Sequence, residues 1–277
     1  MIILKMQGGI GNQLFQYVFG RTAANLSKTK LILETSCYQK GNRKFALDEL
    51  RVDYDIKIKN RFLMKVVTLF LKPRTIKFDG QFQNIKIGRN EHVSLLGFWD
   101  TYQPYPPENQ AVIDKELVLK NPSKKFLEHR DKINPHNSIG VHVRRGDYLL
   151  PQHQKMYVIQ DVSYYLNAII LLKNKFKLTD PRVLVFSDDP DWCEENIKID
   201  GVKVQVFRDS EVSDVEQMFL LSIPKYNVIA NSTFSWWATI LNKNKDKKVV
   251  VPSRWFHSDW TNDFTTSFMP QAEIIIL

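Results

Sequence analysis

Short apolar runs alternate with longer amphipathic stretches along most of this chain. Residues 2–6, apolar except for Lys5, read as a strand, residues 14–26 space their apolar side chains over one helical face, and residues 31–33 read as a second strand. Such a β-α-β opening predicts a parallel sheet. Residues 36–95 are less regular: helical pieces are present, and Leu95-Leu-Gly-Phe-Trp99 reads as a strand. Pro104-Tyr-Pro-Pro107 interrupts regular structure. A charged helical stretch then runs to Lys132, and the turn Asn134-Pro-His-Asn137 marks a domain boundary.

The second half alternates more clearly. Strands are predicted at 138–143, 182–186, 202–207, 227–230 and 249–251, and helices at 163–175, 191–196, 214–223 and 235–241. Asp161 or Ser163 is the candidate N-cap of the first of these helices. The pattern predicts an α/β protein of two Rossmann-like, doubly wound domains, residues 1–134 and 135–277, facing each other across a cleft.

Composition narrows the function classes. The chain has 277 residues, 43% hydrophobic and 25% charged, as an ordinary globular protein does. Its net charge is +9, but the lysines are dispersed, so a diffusely basic surface is expected rather than a nucleic-acid-binding tail. Cys37 and Cys193 are the only cysteines and have no metal-ligand spacing, which fits a reducing cytoplasm. The first residues lack a charged leader and read as a strand rather than a signal peptide. The apolar stretch of residues 62–71 contains a lysine and is too short to span a bilayer, which takes about 20 residues. A buried helix is expected there; flanking Lys and Arg make a helix lying on a membrane surface the alternative.

Four motifs fall at predicted strand-to-helix junctions. His142-Val-Arg-Arg145-Gly-Asp147-Tyr148 follows a buried strand. Ligands of open α/β sheets bind at the carboxyl ends of strands, and the planar fork of arginine grips phosphate with two parallel hydrogen bonds. Gly8-Gly9-Ile10-Gly11-Asn12-Gln13 joins the first strand to the first helix, where glycines let backbone amides approach an anion. Leu14 stands where the third glycine of a dinucleotide fingerprint would be, so a nicotinamide cofactor is not expected. Ser187-Asp188-Asp189-Pro190-Asp191 contains a DxD spacing that could hold a divalent metal. The favoured reading is non-metal: Asp191 caps the next helix, while Asp188 or Asp189 accepts hydrogen bonds from a base or ribose. Asn231-Ser232-Thr233-Phe234-Ser235-Trp236-Trp237 places hydroxyls at a helix start, either as phosphate ligands or simply as caps. At least one of the two tryptophans is expected in the core. No Ser-His-Asp order, HExxH or Walker lysine is present, so hydrolase and P-loop readings have no support.

Together, GGIGNQLFQY, HVRRGDY, FSDD and NSTFSWWA, in this order from about residue 3 to 257, resemble the bacterial α-1,2-fucosyltransferases of glycosyltransferase family 11. The resemblance implies a GT-B-like fold, with the acceptor on the N-terminal domain and the GDP-sugar on the C-terminal one. It implies inverting transfer of L-fucose from GDP-β-L-fucose to the 2-hydroxyl of a terminal galactose, with no required metal or other cofactor. The implied partners are GDP-fucose and a galactose-terminated glycan, with a lipid-linked surface-polysaccharide repeat among the acceptors, and no nucleic acid. Peripheral contact with the inner membrane is compatible with this. Carried over residue by residue, Arg144 holds the β-phosphate with Arg145 beside it, His142 and an acid of the Asp188-Asp189 pair meet guanine or ribose, and Ser232, Thr233 and Phe234 wrap the diphosphate. Gly9 and Gly11 belong to the first binding loop, and Asn12 sits near the sugar. Asp147, Asp100 and Asn12 stay open as the group that deprotonates the acceptor. A related glycosyltransferase with another nucleotide sugar or linkage is the second reading, and a non-catalytic binder of glycans or nucleic acid the third.

Overall fold

Two compact units, Met1–Asn121 and Pro122–Leu277, make up the chain. They are described from a computed structural model over residues 1–39, 43–78, 87–88, 90–98, 107–208, 212–257 and 272–277. Each unit carries its own parallel sheet with helices on both faces, the expected α/β class. Asp100, Trp99 and the Pro104–Pro106 break lie outside the described residues.

The first unit runs β1 (Ile2–Lys5), α1 (Ile10–Leu26), β2 (Leu31–Glu34), β3 (Ile56–Ile58), α2 (Arg61–Leu71), β4 (Arg74–Lys77), β5 (Val93–Leu96) and α3 (Pro107–Glu116), with strand order β3-β2-β1-β5-β4. Side chains alternate across the sheet. Ile3, Ile32 and Ile58 line one face and receive Met64, Val67 and Leu71 of α2. Leu4 points to the other face, toward α1, where a Cβ on Gly20 would come within 2.7 Å of Leu4 Cδ2. The strand read at Leu95–Trp99 instead starts at Val93 and ends at Leu96, because Gly97 takes φ +133° and turns the chain out of the sheet. The helix expected to be buried at residues 62–71 is not: none of α2 is fully buried, and only three of its apolar side chains reach the sheet face just described.

The second unit runs α4 (Lys124–Asp131), β6 (Ser138–Val143), α5 (Pro151–Gln154), α6 (Val162–Lys175), β7 (Arg182–Ser187), α7 (Pro190–Asn196), β8 (Lys203–Val206), α8 (Asp214–Leu221), β9 (Tyr226–Val228), α9 (Thr233–Leu241), β10 (Lys248–Val251) and β11 (Glu273–Ile276). Its order is β11-β10-β9-β6-β7-β8. From β6 the chain winds outward through β7 and β8, then returns to place β9 on the other flank of β6. The switch point of the sheet therefore lies between β6 and β9, the position at which open α/β sheets bind their ligands. Glu216 joins two helix starts: it closes a capping box with Ser213 on α8, and its carboxylate accepts from the Ser123 amide at 2.6 Å while Ser123 caps α4. Asp161, not Ser163, caps α6, accepting from the Tyr164 amide at 3.0 Å. Among the described residues no helix is long and apolar enough to cross a membrane.

Candidate functional site

Strand β6 is buried along its whole length, so its alternation decides what each residue meets. Ile139, Val141 and Val143 enter the core against α6. Gly140 and His142 point the other way. Gly140 has no side chain because α8 lies against it: a Cβ there would meet Leu221 Cδ1 at 2.9 Å and Asn227 Nδ2 at 2.8 Å. Two residues on, His142 stacks on Phe234 of α9, ring centroids 4.8 Å apart and planes 27° from parallel. Burial, reinforced by the Arg144 charge, lowers the His142 imidazole to about 3, so the ring is neutral at physiological pH. Its Nδ1 is buried and has no hydrogen-bond partner among the described residues. A buried ring nitrogen of this kind costs free energy until something bonds to it.

The chain leaves the sheet at Arg144 and Arg145 and enters a 3₁₀ turn at Gly146–Leu149. Both guanidiniums are held by carboxylates. Arg144 pairs with Asp147 and, through Nη1, with Asp188 at 2.7 Å. Arg145 reaches Asp189 through Nε at 3.2 Å and lies 4.0 Å over the ring of Trp192. The Arg145 amide donates to Asp188 at 2.9 Å. Two cations thus face three anions.

The ends of β7 and β9 complete the cluster. Asp189 caps α7, accepting from the Trp192 amide at 3.3 Å, while its own amide donates to Ser187 Oγ at 3.0 Å. This corrects the expectation that Asp191 is the cap: Asp191 is exposed and pairs with Arg208 at 2.9 Å, so the two acids of the DxD spacing point to different partners. After β9, Ser232 caps α9 through the Phe234 amide at 3.3 Å, with Thr233 as the first helical residue. Trp236 and Trp237 are both fully buried. Tyr148 ties the β6 loop to the β9 loop, donating to the Asn231 carbonyl at 3.0 Å and stacking on Tyr157. Asn231 in turn donates to the carbonyls of Val158 and Trp255, each at 2.8 Å.

The structure therefore gathers His142, Arg144, Arg145, Asp147, Asp188, Asp189, Ser232, Thr233 and Phe234 at the carboxyl ends of three neighbouring strands in the second unit. Gly9, Gly11 and Asn12 belong to the first unit: Gly9 is the N-cap of α1, and Gly11 and Asn12 lie in its first turn, since the helix starts at Ile10 rather than Leu14. Gly8 takes φ +83° there, and a Cβ on it would meet Asn12 Nδ2 at 2.7 Å. Gln13, one residue on, is structural. Its fully buried amide donates to the carbonyls of Gly8 and Lys44 at 3.1 and 3.0 Å and accepts from the Ala46 amide at 2.9 Å. The parts that sequence reading missed are Trp192, Tyr148 and Asn231; the only available signal was their position inside or next to the motifs. Among the described residues, no group of three His, Cys, Asp or Glu side chains is placed to hold a metal ion.

Comparison with known proteins gives the chain a family. Residues 97–271 match the model of glycosyl transferase family 11. An alpha-1,2-colitosyltransferase of Escherichia coli is 29% identical over 95% of this chain and 95% of its own length. Galactoside alpha-(1,2)-fucosyltransferase 1 of Mus musculus is 35% identical over 39% of this chain and 29% of its own length. In fold the chain is similar to the crystal structure of fucosyltransferase NodZ from Bradyrhizobium, with a TM-score of 0.51 at 14% identity over 87% of this chain and 92% of that one. The chain belongs to glycosyl transferase family 11.

Proposed function

We propose that this member of glycosyl transferase family 11 transfers L-fucose from GDP-β-L-fucose to the 2-hydroxyl of a terminal galactose, with inversion and without a required metal. The observation that carries the reading is the meeting of Arg144, the unpartnered Nδ1 of His142 and the start of α9 at the switch point of one sheet. On this reading the second unit holds the nucleotide. His142 and the Asp188-Asp189 pair take the base and ribose. The diphosphate takes Arg144 and Arg145 from their carboxylates and lies against the amides and hydroxyls of Ser232, Thr233 and Phe234.

The chemistry follows from charge. As the bond from fucose to phosphate breaks, negative charge grows on the departing GDP. The guanidiniums and the amides at the start of α9 are the groups placed to stabilise it. A neutral His142 adds a hydrogen bond and no charge. The proton lost by the acceptor hydroxyl needs a carboxylate, and Asp147, beside Arg144, fills this role on the present reading. Asn12, an amide, orients the sugar. The first unit serves the acceptor, a galactose-terminated glycan in surface-polysaccharide synthesis.

The end-to-end match to a colitosyltransferase favours a second reading, in which the sugar is colitose. Colitose lacks a hydroxyl that fucose carries. A site built to bond that hydroxyl discriminates by about 10⁴–10⁵, whereas a site that merely tolerates it does not. Turnover is therefore measured with both GDP-sugars against lactose, Gal-β1,3-GalNAc and Gal-β1,3-GlcNAc, with the product linkage read by NMR and with EDTA in a parallel arm. Fucosylation of the galactose 2-hydroxyl, unchanged by EDTA, is the expected result. Exclusive use of the colitose donor selects the second reading. Activity abolished by EDTA and restored by Mn²⁺ overturns the metal-free mechanism.

A further inference from the structure

Helix α2 presents three distinct stripes. Met64, Val67 and Leu71 bind it to the sheet of the first unit. Arg61, Lys65 and Lys72, with Thr68 between them, recur at helical spacing along a second line, where they border an open groove of about 860 Å³ that also touches Lys5 and Glu34. The third stripe is apolar and faces outward: Phe62 is 75% exposed, Leu69 70% and Phe70 79%. Exposed apolar side chains grouped in this way mark a surface that something covers.

Charge identifies the cover. Residues 56–78 contain seven Lys or Arg and no Asp or Glu. Lys57 and Arg74 are neutralised from outside the segment, by Asp48 and Glu91. Among the described residues, Arg61, Lys65 and Lys72 form no ion pair. A row of uncompensated cations beside a band of aromatic and aliphatic side chains is complementary to a surface that is anionic outside and apolar beneath. At 1.5 Å per residue, the eleven residues of α2 extend about 16 Å, half of the roughly 30 Å of a hydrocarbon core, so the helix lies along a bilayer and does not cross it. We propose that α2 is a docking helix for an anionic lipid surface. Phe62, Leu69 and Phe70 enter the acyl boundary, and Arg61, Lys65 and Lys72 lie along the phosphate headgroups.

Flotation of the purified full chain with vesicles tests this. One set is phosphatidylcholine alone; the other is phosphatidylcholine and phosphatidylglycerol in equal parts. The chain is expected to float with the anionic vesicles at low salt and to be released at high salt. Removing each cation lowers partitioning about fivefold, so Arg61→Gln/Lys65→Gln/Lys72→Gln loses about a hundredfold. Phe62→Ser/Phe70→Ser loses tenfold or more. Both variants keep the wild-type circular dichroism, melting temperature and turnover of a soluble galactoside, because the altered side chains make no part of the core or of the donor site. The proposal is overturned if the wild type fails to float with anionic vesicles at low salt. It is equally overturned if the Phe variant floats as well as the wild type, or if light scattering shows a dimer that the Phe variant dissociates. In that last case the stripe joins two copies of the chain. Turnover with the soluble galactoside is read separately, so failure of the docking proposal leaves the catalytic one standing.

Discussion

Gly146 lies against the carboxylate of Asp188, so close that a Cβ added at Gly146 would overlap Oδ2. The same carboxylate holds the Arg145 amide and the Arg144 guanidinium. Gly146→Ala is therefore predicted to push Asp188 away and release both contacts. The expected result is a loss of roughly 1–3 kcal/mol in stability, as for overpacking at a tight site, with turnover falling at least tenfold. Thermal melts and steady-state kinetics check it. Wild-type turnover in this variant would show that Asp188 does not position Arg144.

Arg144→Ala is predicted to lower kcat by about 10²–10³, the cost of losing one donor to a developing anion. Arg144→Lys keeps the charge but not the fork, and is expected to recover only part of the loss. Single-turnover kinetics with saturating GDP-sugar separate this effect from weaker binding.

Asp147→Asn tests the assigned base. Loss of a general base removes about 10²–10⁴ in rate while leaving GDP affinity within a fewfold of wild type. If Asp147 serves only to hold Arg144, calorimetry with GDP changes and the rate at saturation does not.

The low value of His142 sets a pH dependence with a definite sign. The folded imidazole ionises at about 3, against 6.5 when exposed. Below pH 6.5 the unfolded chain binds a proton that the folded chain refuses. Stability therefore falls as pH drops from 6.5 toward 3, by about 1.4 kcal/mol per pH unit, and His142 contributes no slope above 6.5. His142→Phe keeps a ring on Phe234 and is predicted to remove this slope. It also loses the Nδ1 bond to nucleotide, weakening GDP about two- to tenfold. Urea midpoints between pH 4 and 8 and GDP titrations check both.

Most of the second unit was legible because its central strands β6 and β7 are largely apolar and its longer helices carry caps, as with Asp161 before α6 and Ser213 before α8; β11, and α5 with no side-chain cap, were not read. In the first unit, β3 and β4 are short edge strands with polar residues interleaved, and such runs look like loops. Helix α2 was legible as a helix, but its burial was not. Apolar spacing shows which residues share a face; it does not show whether another element covers that face. The cluster around Arg144 was visible as motifs at strand ends. That Arg144 and Arg145 are also held by Asp188 and Asp189 depends on the pairing of β6 with β7, which brings side chains more than forty positions apart together. That Gln13 clamps its own loop was not legible, because polar side chains in a glycine loop read alike, whether they face a ligand or hold the loop itself.

Strand β6 has a consequence for how the protein is made. Its neighbours are β7 on one side and β9 on the other, and Ile139 pairs with Tyr226. A nascent chain that has just completed α8 has Arg144, Arg145 and all three carboxylates in place, yet one flank of β6 is still an open edge of apolar residues. Phe234 has not arrived to cover His142. Such an edge recruits other strands readily. Ribosomes that stall in this interval, or proteases that remove the last fifty residues, would leave a sticky intermediate rather than a weakly active one.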